Sequence, residues 1–190
     1  MSTPLLEMRN IHKVFGATKA LSGVDLTVEP GQVHILVGEN GAGKSTLMKI
    51  LTGVHPADVG EIRFLGEPFI ASHPKEALMA GIAMIYQEFN LALHLPVHSN
   101  LFLGHEKIHN GLVQKHWQRE RTREIFRQLE SDIDPDIPVM QLGVAQRQLV
   151  EIARALSVDA RLIIMDEPTA ALSEKETIKL FEVIRSLRAK

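Results

Sequence analysis

The chain has no cysteine in its 190 residues. That excludes disulfide bridges, zinc–thiolate sites and thiol nucleophiles, and it fits a reducing compartment. It also has little excess charge: 21 basic against 23 acidic side chains give a formal net charge of −2. No strong field therefore draws it to nucleic acid or to anionic lipid. Long hydrophobic runs are missing too. The longest, 77–86, reaches ten residues only by counting Gly81, too short to cross a bilayer. Residues 1–10 show no basic stretch leading into an apolar one, so no signal peptide is read there. Any membrane role is expected to pass through a partner. What is present is ordinary globular material, 45% hydrophobic and 23% charged, in a length that suits one domain or one domain with an inserted subdomain.

Periodicity orders the chain. Residues 5–9 are expected as a first strand. Val24, Leu26 and Val28 alternate with Asp25 and Thr27, the two-residue period of a half-buried strand. Pro30 and Gly31 mark a turn, and 33–37 reads as a short apolar strand. A helix over 44–51 is closed by Gly53. A strand over 60–65 stops at Gly66 and Pro68, Pro74 opens a short helix ending at Gly81, and 82–86 is a buried strand. From Glu88 the texture turns helical, with a long helix over 115–130, a loop over 131–138 and a helix over 145–156. A buried strand returns at 162–165, and Ser173 with Glu176 makes a capping box for a last helix. This order implies an α/β core of residues 1–90 and 157–190, interrupted by a helical subdomain over 91–156.

Residues 38–46 read GENGAGKST and fit G-x-x-x-x-G-K-[ST], with Gly38, Gly43, Lys44 and Ser45 at the fixed positions. Glycines let the main chain curl so that successive N–H groups converge on phosphate oxygens. Glu39, Asn40, Gly41, Ala42 and Thr46 share that curl. The helix beginning near Lys44 adds the positive end of its dipole. Lys44 supplies a charge for the β- and γ-phosphates, and the Ser45 hydroxyl can ligate magnesium. The plain alternative is a chance glycine-rich turn, which an apolar strand before it and a helix after it disfavour.

A second acidic element stands at 162–167, LIIMDE. Four apolar residues followed by two acids suit a buried strand whose carboxyl end reaches an active site, where ligands of open α/β sheets collect. Asp166 would hold Mg2+ through water, and Glu167 would polarise the attacking water. The plain alternative is a strand ending in a polar turn before Pro168. No N-K-x-D element follows, which argues against guanine recognition. Gln87, after the 82–86 strand, is placed so that its amide could reach magnesium and water; taken alone it is only a polar residue ending a strand.

Phe15, GENGAGKST, YQEFNL, LGVAQRQLVEIARAL and LIIMDEPTAAL follow one another in the order of the ATP-binding-cassette (ABC) ATPases, and the chain resembles that family over almost its whole length. The wording of GENGAGKSTLMKILTG, Gln87-Glu88 and VEIARAL is similar to the members that energise bacterial monosaccharide import. The resemblance implies a P-loop NTPase fold with a RecA-like core, an antiparallel β subdomain and an inserted α-helical subdomain. It implies ATP and Mg2+, with Phe15 stacking on adenine, Gln87 as the coupling glutamine and Glu167 as the catalytic carboxylate. The block from Leu142 would be the signature. Gly143, Ala145 and Gln146 would there meet the γ-phosphate held by a second cassette, an anion at a helix start. Implied partners are transmembrane permease subunits and, indirectly, a periplasmic or extracellular sugar-binding protein, with the chain on the cytoplasmic face of the inner membrane and no nucleic acid involved.

Three departures from the family pattern qualify this. Gly143 stands where a serine is usual and lacks its hydroxyl, so weakened sandwiching of ATP is expected. Ser173 stands where an acid is usual. No histidine follows His116, so the family's switch histidine is missing, and the chain reads as most of the first of two fused cassettes, better at binding nucleotide than at hydrolysing it. A non-catalytic nucleotide-binding module and a soluble ABC ATPase unconnected to transport remain the alternatives.

His94, His98, His105, His109 and His116 are expected to be a solvated or loop cluster rather than a metal site. Arg119, Arg123 and Arg127 form a stripe at i, i+4 and i+8; Glu120 and Glu124 stand three residues before Arg123 and Arg127, so surface pairing is expected, with a docking face for a membrane partner as the alternative. Trp117 is expected to pack within the helical block.

Overall fold

The computed structural model describes residues 3–39, 41–170 and 172–188. Contacts group the chain into two compact units. The first takes the chain up to Ile82 together with Arg188, and the second is Ala83–Leu187.

The first unit opens with strand β1, Leu6–Phe15, and β2, Thr18–Val28. They pair antiparallel across a turn at Gly16, where φ is +56°. Helix α1, Lys44–Leu51, follows the phosphate-loop sequence. Strands β3, Val59–Phe64, and β4, Glu67–Pro68, complete a four-stranded antiparallel sheet in the order β2-β1-β3-β4. Helix α2, Pro74–Met79, then starts at a proline, as read. The sheet buries Leu6, Met8, Ile11, Leu21, Leu26, Val28 and Phe64. β1 is longer than 5–9 because its alternation breaks at Asn10. That residue sits at φ +50° in an irregular register, its N–H donating to Asp25 Oδ1 at 2.7 Å, and burial resumes three residues after Met8, at Ile11.

The strand expected over 33–37 is not formed. These residues have no ladder partner among the described residues, and Ile35 and Val37 are exposed. Strand propensity gives a ladder only where another strand supplies the hydrogen-bond partners.

In the second unit, β5, Ile82–Ile85, pairs with β8, Leu162–Met165, as a two-stranded sheet. Between them lie α3, Val97–Phe102; a short hairpin of β6, Ile108–His109, and β7, Leu112–Val113; α4, Lys115–Gln128; and α5, Val144–Ser157. Helix α6, Glu174–Arg188, follows β8. One apolar core joins Ile85, Leu101, Phe102, Ile125, Phe126, Val150, Ile152, Leu180 and Val183, with Ile163 and Met165 packed against it. α4 contributes a single stripe, Gln118, Thr122, Ile125 and Phe126, at the spacing one helix face requires. Trp117 packs on Phe102 with ring centroids 5.1 Å apart, and Lys107 Nζ lies 4.8 Å from the centre of its ring.

Two surface expectations need correction. His98 is buried, not solvated. Its Nδ1 lies 3.3 Å from Gln118 Oε1 and its Nε2 3.5 Å from Asp136 Oδ1. α3 begins right after Pro96 and turns His98 inward, a burial that histidine spacing alone does not announce. No group of histidines and acids able to hold a metal occurs among the described residues. Arg123 pairs with Glu120 at 2.5 Å as expected, but Glu124 pairs with Arg121 at 3.1 Å, and Arg127 donates to the Arg123 carbonyl. Glu124 has a basic residue three positions away on either side, and the spacing rule alone does not choose between them.

Candidate functional site

In the first unit the loop before α1 has the backbone its sequence demands. Gly41 and Gly43 lie at φ +86° and +88°. A Cβ at Gly43 would stand 2.6 Å from the Ala20 carbonyl oxygen and 2.7 Å from Leu21 Cδ2 of β2, so both the angle and the space require glycine. Ala42 N–H closes a turn onto the Glu39 carbonyl at 3.1 Å. The first helical bond is Leu47 N–H to the Gly43 carbonyl, at 2.9 Å. Among the described residues no side chain caps this end, and no acid stands in its first turn. The opening amides of α1 are therefore left for an outside acceptor. Lys44 Nζ donates to the carbonyls of Gly38 and of Glu39, the latter at 3.0 Å, so the ammonium is folded over the loop. Ser45 is exposed and Thr46 half-buried. Asn40, also expected in the loop, lies outside the described residues.

This donor set fits a polyphosphate: an ammonium, open helix amides, a hydroxyl and no acid in the first turn of α1. The fit rests on α1 starting where it does, and that follows from the left-handed Gly43 preceding a run that buries Leu47, Met48, Ile50 and Leu51.

Phe15 stands at the exposed end of β1, not in the core, and His55 contacts it edge-on at 5.1 Å between centroids. Sequence reasoning missed what holds it there. Asp58 accepts from Lys13 Nζ and from Val14 N–H, both at 2.7 Å, and Lys13 Nζ lies 5.4 Å from the Phe15 ring centre. The Lys13 ammonium and the two hydrogen bonds hold the Asp58 carboxyl below the ordinary carboxylate range. No period in the sequence announced a contact spanning 45 residues.

In the second unit Asp166 follows β8, and its N–H donates to the Ile85 carbonyl at 3.0 Å, which registers it against β5. Glu167 is exposed with φ +44°, a left-handed backbone uncommon for a residue with a Cβ. Its carbonyl accepts from Ala170 N–H at 3.1 Å, closing a turn. Gln87 is exposed two residues past β5. The chain after it is tied down. Asn90 N–H donates to Glu151 Oε1 at 2.8 Å, and Asn100 Nδ2 donates to the carbonyls of Ala92, Leu95 and Pro96. Neither Glu151 nor Asn100 was singled out from sequence. Each is a polar residue at a buried helical position, and that was the available signal.

The signature candidates Gly143, Ala145 and Gln146 sit at the start of α5, with Gly143 as its N-cap. Gln146 Oε1 accepts from Gly143 N–H at 3.1 Å, so the helix supplies its own partner for that amide.

A glycine-built loop presenting a lysine and open helix amides defines a P-loop nucleotide-binding protein. The ABC transporter family matches residues 21–170. The chain is 54% identical, over 98% of its length, to the ribose import ATP-binding protein RbsA 2 of Escherichia coli O157:H7. It is 50% identical, over 97%, to the ribose import ATP-binding protein RbsA 3 of Rubrobacter xylanophilus. The chain spans 37% of the length of each. Among solved structures, the ADP conformation of an ATP-binding cassette of an ABC transporter matches with TM-score 0.85 and 30% identity, covering 99% of this chain and 78% of that one. A nucleotide-free ATP-binding cassette from an ABC transporter matches with TM-score 0.84 and 31% identity, covering 98% and 78%. The chain belongs to the ABC transporter family, and its fold is that of the family's ATP-binding cassettes.

Proposed function

We propose that this chain is an ATP-binding and ATP-hydrolysing part of a carbohydrate importer. The observation that carries the reading is the phosphate loop: left-handed Gly41 and Gly43, Lys44 folded over the loop carbonyls and an uncapped α1. Gly38, Glu39, Asn40, Gly41, Ala42, Gly43, Lys44, Ser45 and Thr46 would surround the phosphates, with Phe15 against the base. Ser45, Gln87 and Asp166 would hold Mg2+, which would offset the charge of the phosphates. Glu167 would orient water as a base. The sugar class rests on relatives named for ribose import that are at least half identical to this chain. Permease subunits, a second cassette and a sugar-binding protein are the corresponding partners, with the chain at the cytoplasmic face of the inner membrane. Residues 91–156 would be the helical subdomain between the two parts of the nucleotide-binding core.

One observation favours a second reading, a module that binds nucleotide without turning it over. The signature carries no serine hydroxyl at Gly143, and its amide is already satisfied by Gln146. Titrating the chain with magnesium-ATP and with GTP, then assaying hydrolysis, separates the two. We expect ATP to bind in preference to GTP and Lys44→Ala to weaken ATP binding by more than about tenfold, since charge-assisted bonds to phosphate are lost. Equal binding by parent and variant would refute the loop assignment. Binding without turnover would select the second reading.

A further inference from the structure

Glu151 is a carboxylate on the buried face of α5, and it is only 7% exposed. Burial pushes its carboxyl above the ordinary range, so something must repay the desolvation of a charged group there. Its partner lies 61 residues earlier in the chain: Asn90 N–H donates to Oε1 at 2.8 Å. One helical turn later, Arg154 Nη1 donates to the Asn90 carbonyl at 3.1 Å. Two side chains at i and i+3 on α5 thus hold both main-chain groups of one residue, and that residue lies three positions after Gln87. Beyond it, Asn100 fixes the carbonyls of Ala92, Leu95 and Pro96. Gln87 itself is exposed, and among the described residues its side chain has no such tether; it lies between Ile85, whose carbonyl accepts from Asp166 N–H, and the clamped Asn90.

We propose that Glu151 and Arg154 are positioning residues that clamp Asn90 to α5 and thereby set where Gln87 presents its amide to magnesium. Their helix is N-capped by Gly143, so the clamp ties Asn90 to the element that carries the signature candidates. This rests on the proposed role of Gln87 in the nucleotide site. A group that orients a metal ligand without touching the metal typically changes affinity by ten- to a hundredfold when removed.

The test uses the whole chain with ATP, magnesium chloride and four variants: Glu151→Ala, Glu151→Gln, Arg154→Ala and Lys44→Ala. Hydrogen exchange is followed over 87–91, and ATP binding is measured with and without magnesium. Glu151→Ala and Arg154→Ala are expected to speed exchange over 87–91 and to raise the magnesium concentration for half-maximal tight binding by roughly tenfold. Metal-free ATP binding should stay at the parent value. Glu151→Gln keeps an acceptor oxygen and should restore both readouts. Unchanged exchange overturns the clamp, and faster exchange with unchanged magnesium dependence overturns its link to Gln87. If Glu151→Ala does not fold, Arg154→Ala gives the same two readouts. Undiminished ATP binding by Lys44→Ala would sink the phosphate-loop reading while leaving the exchange result to judge the clamp. A parent that binds ATP with no magnesium dependence overturns the inference outright.

Discussion

Single residues carry the clearest conflict between stability and chemistry. Glu167 holds φ at +44° although it has a Cβ, a conformation that costs on the order of 1–2 kcal/mol in an L-residue. Being exposed, it has little burial to offset that cost. Glu167→Gly is expected to raise the thermal midpoint by relieving about 1 kcal/mol of strain, less the extra freedom glycine gives the unfolded chain, and to abolish hydrolysis. Calorimetry of parent and variant checks the first half, and a lowered midpoint would contradict it. At this scale the loop was legible because glycine spacing is a backbone statement. Gly43 must be glycine both for its angle and for the Ala20 carbonyl 2.6 Å from its missing Cβ. Asp58 and Glu151 were not legible, because each acts on a residue far along the chain.

At the level of elements, ends were better announced than ladders. Pro74 does begin α2, with His73 as its N-cap, and Gly53 does follow the C-terminus of α1 in a left-handed turn, at φ +73°. Ser173 and Glu176 form the expected reciprocal cap: Ser173 N–H donates to Glu176 Oε2 at 2.8 Å, and Glu176 N–H donates back to Ser173 Oγ at 3.4 Å. Ser173→Ala should therefore destabilise α6 by about 1 kcal/mol, the usual cost of losing a hydroxyl cap, seen as a lower denaturation midpoint at unchanged slope. No change would mean that the Glu176 carboxylate caps unaided. The β6–β7 hairpin was missed although Asn110-Gly111 between two short strands is a hairpin signal, both residues taking positive φ. Only two residues pair on each side, too few for alternation to show. The 33–37 segment failed in the opposite sense. Its composition suits a strand, but composition cannot supply a neighbour.

For the molecule as a whole, the order of motifs fixed the family before any packing was known, whereas the way polar groups are buried in the second unit had to be seen. Its pH response follows from that burial. His98 and His105 are held below the ordinary histidine value of 6.5, chiefly because burial disfavours their charged forms. The unfolded chain takes up protons on these residues at a pH where the folded one does not. Their contribution is therefore complete above about 6.5 and shrinks as pH falls through the depressed folded values. Asp136, held low chiefly by its hydrogen bond from Arg119, gives up its contribution only at more acid pH, below the ordinary aspartate value of 3.8. Glu151 works in the opposite direction, since a raised carboxyl favours the folded state as it protonates. The expected outcome is a thermal midpoint that falls between about pH 7.5 and 5.5, and falls less in His98→Gln, where a neutral amide replaces the ring facing Gln118 and Asp136. Parallel midpoint curves for parent and variant would show that His98 protonates in the folded protein as readily as in the unfolded chain, and burial at this position would then have no bearing on the acid response.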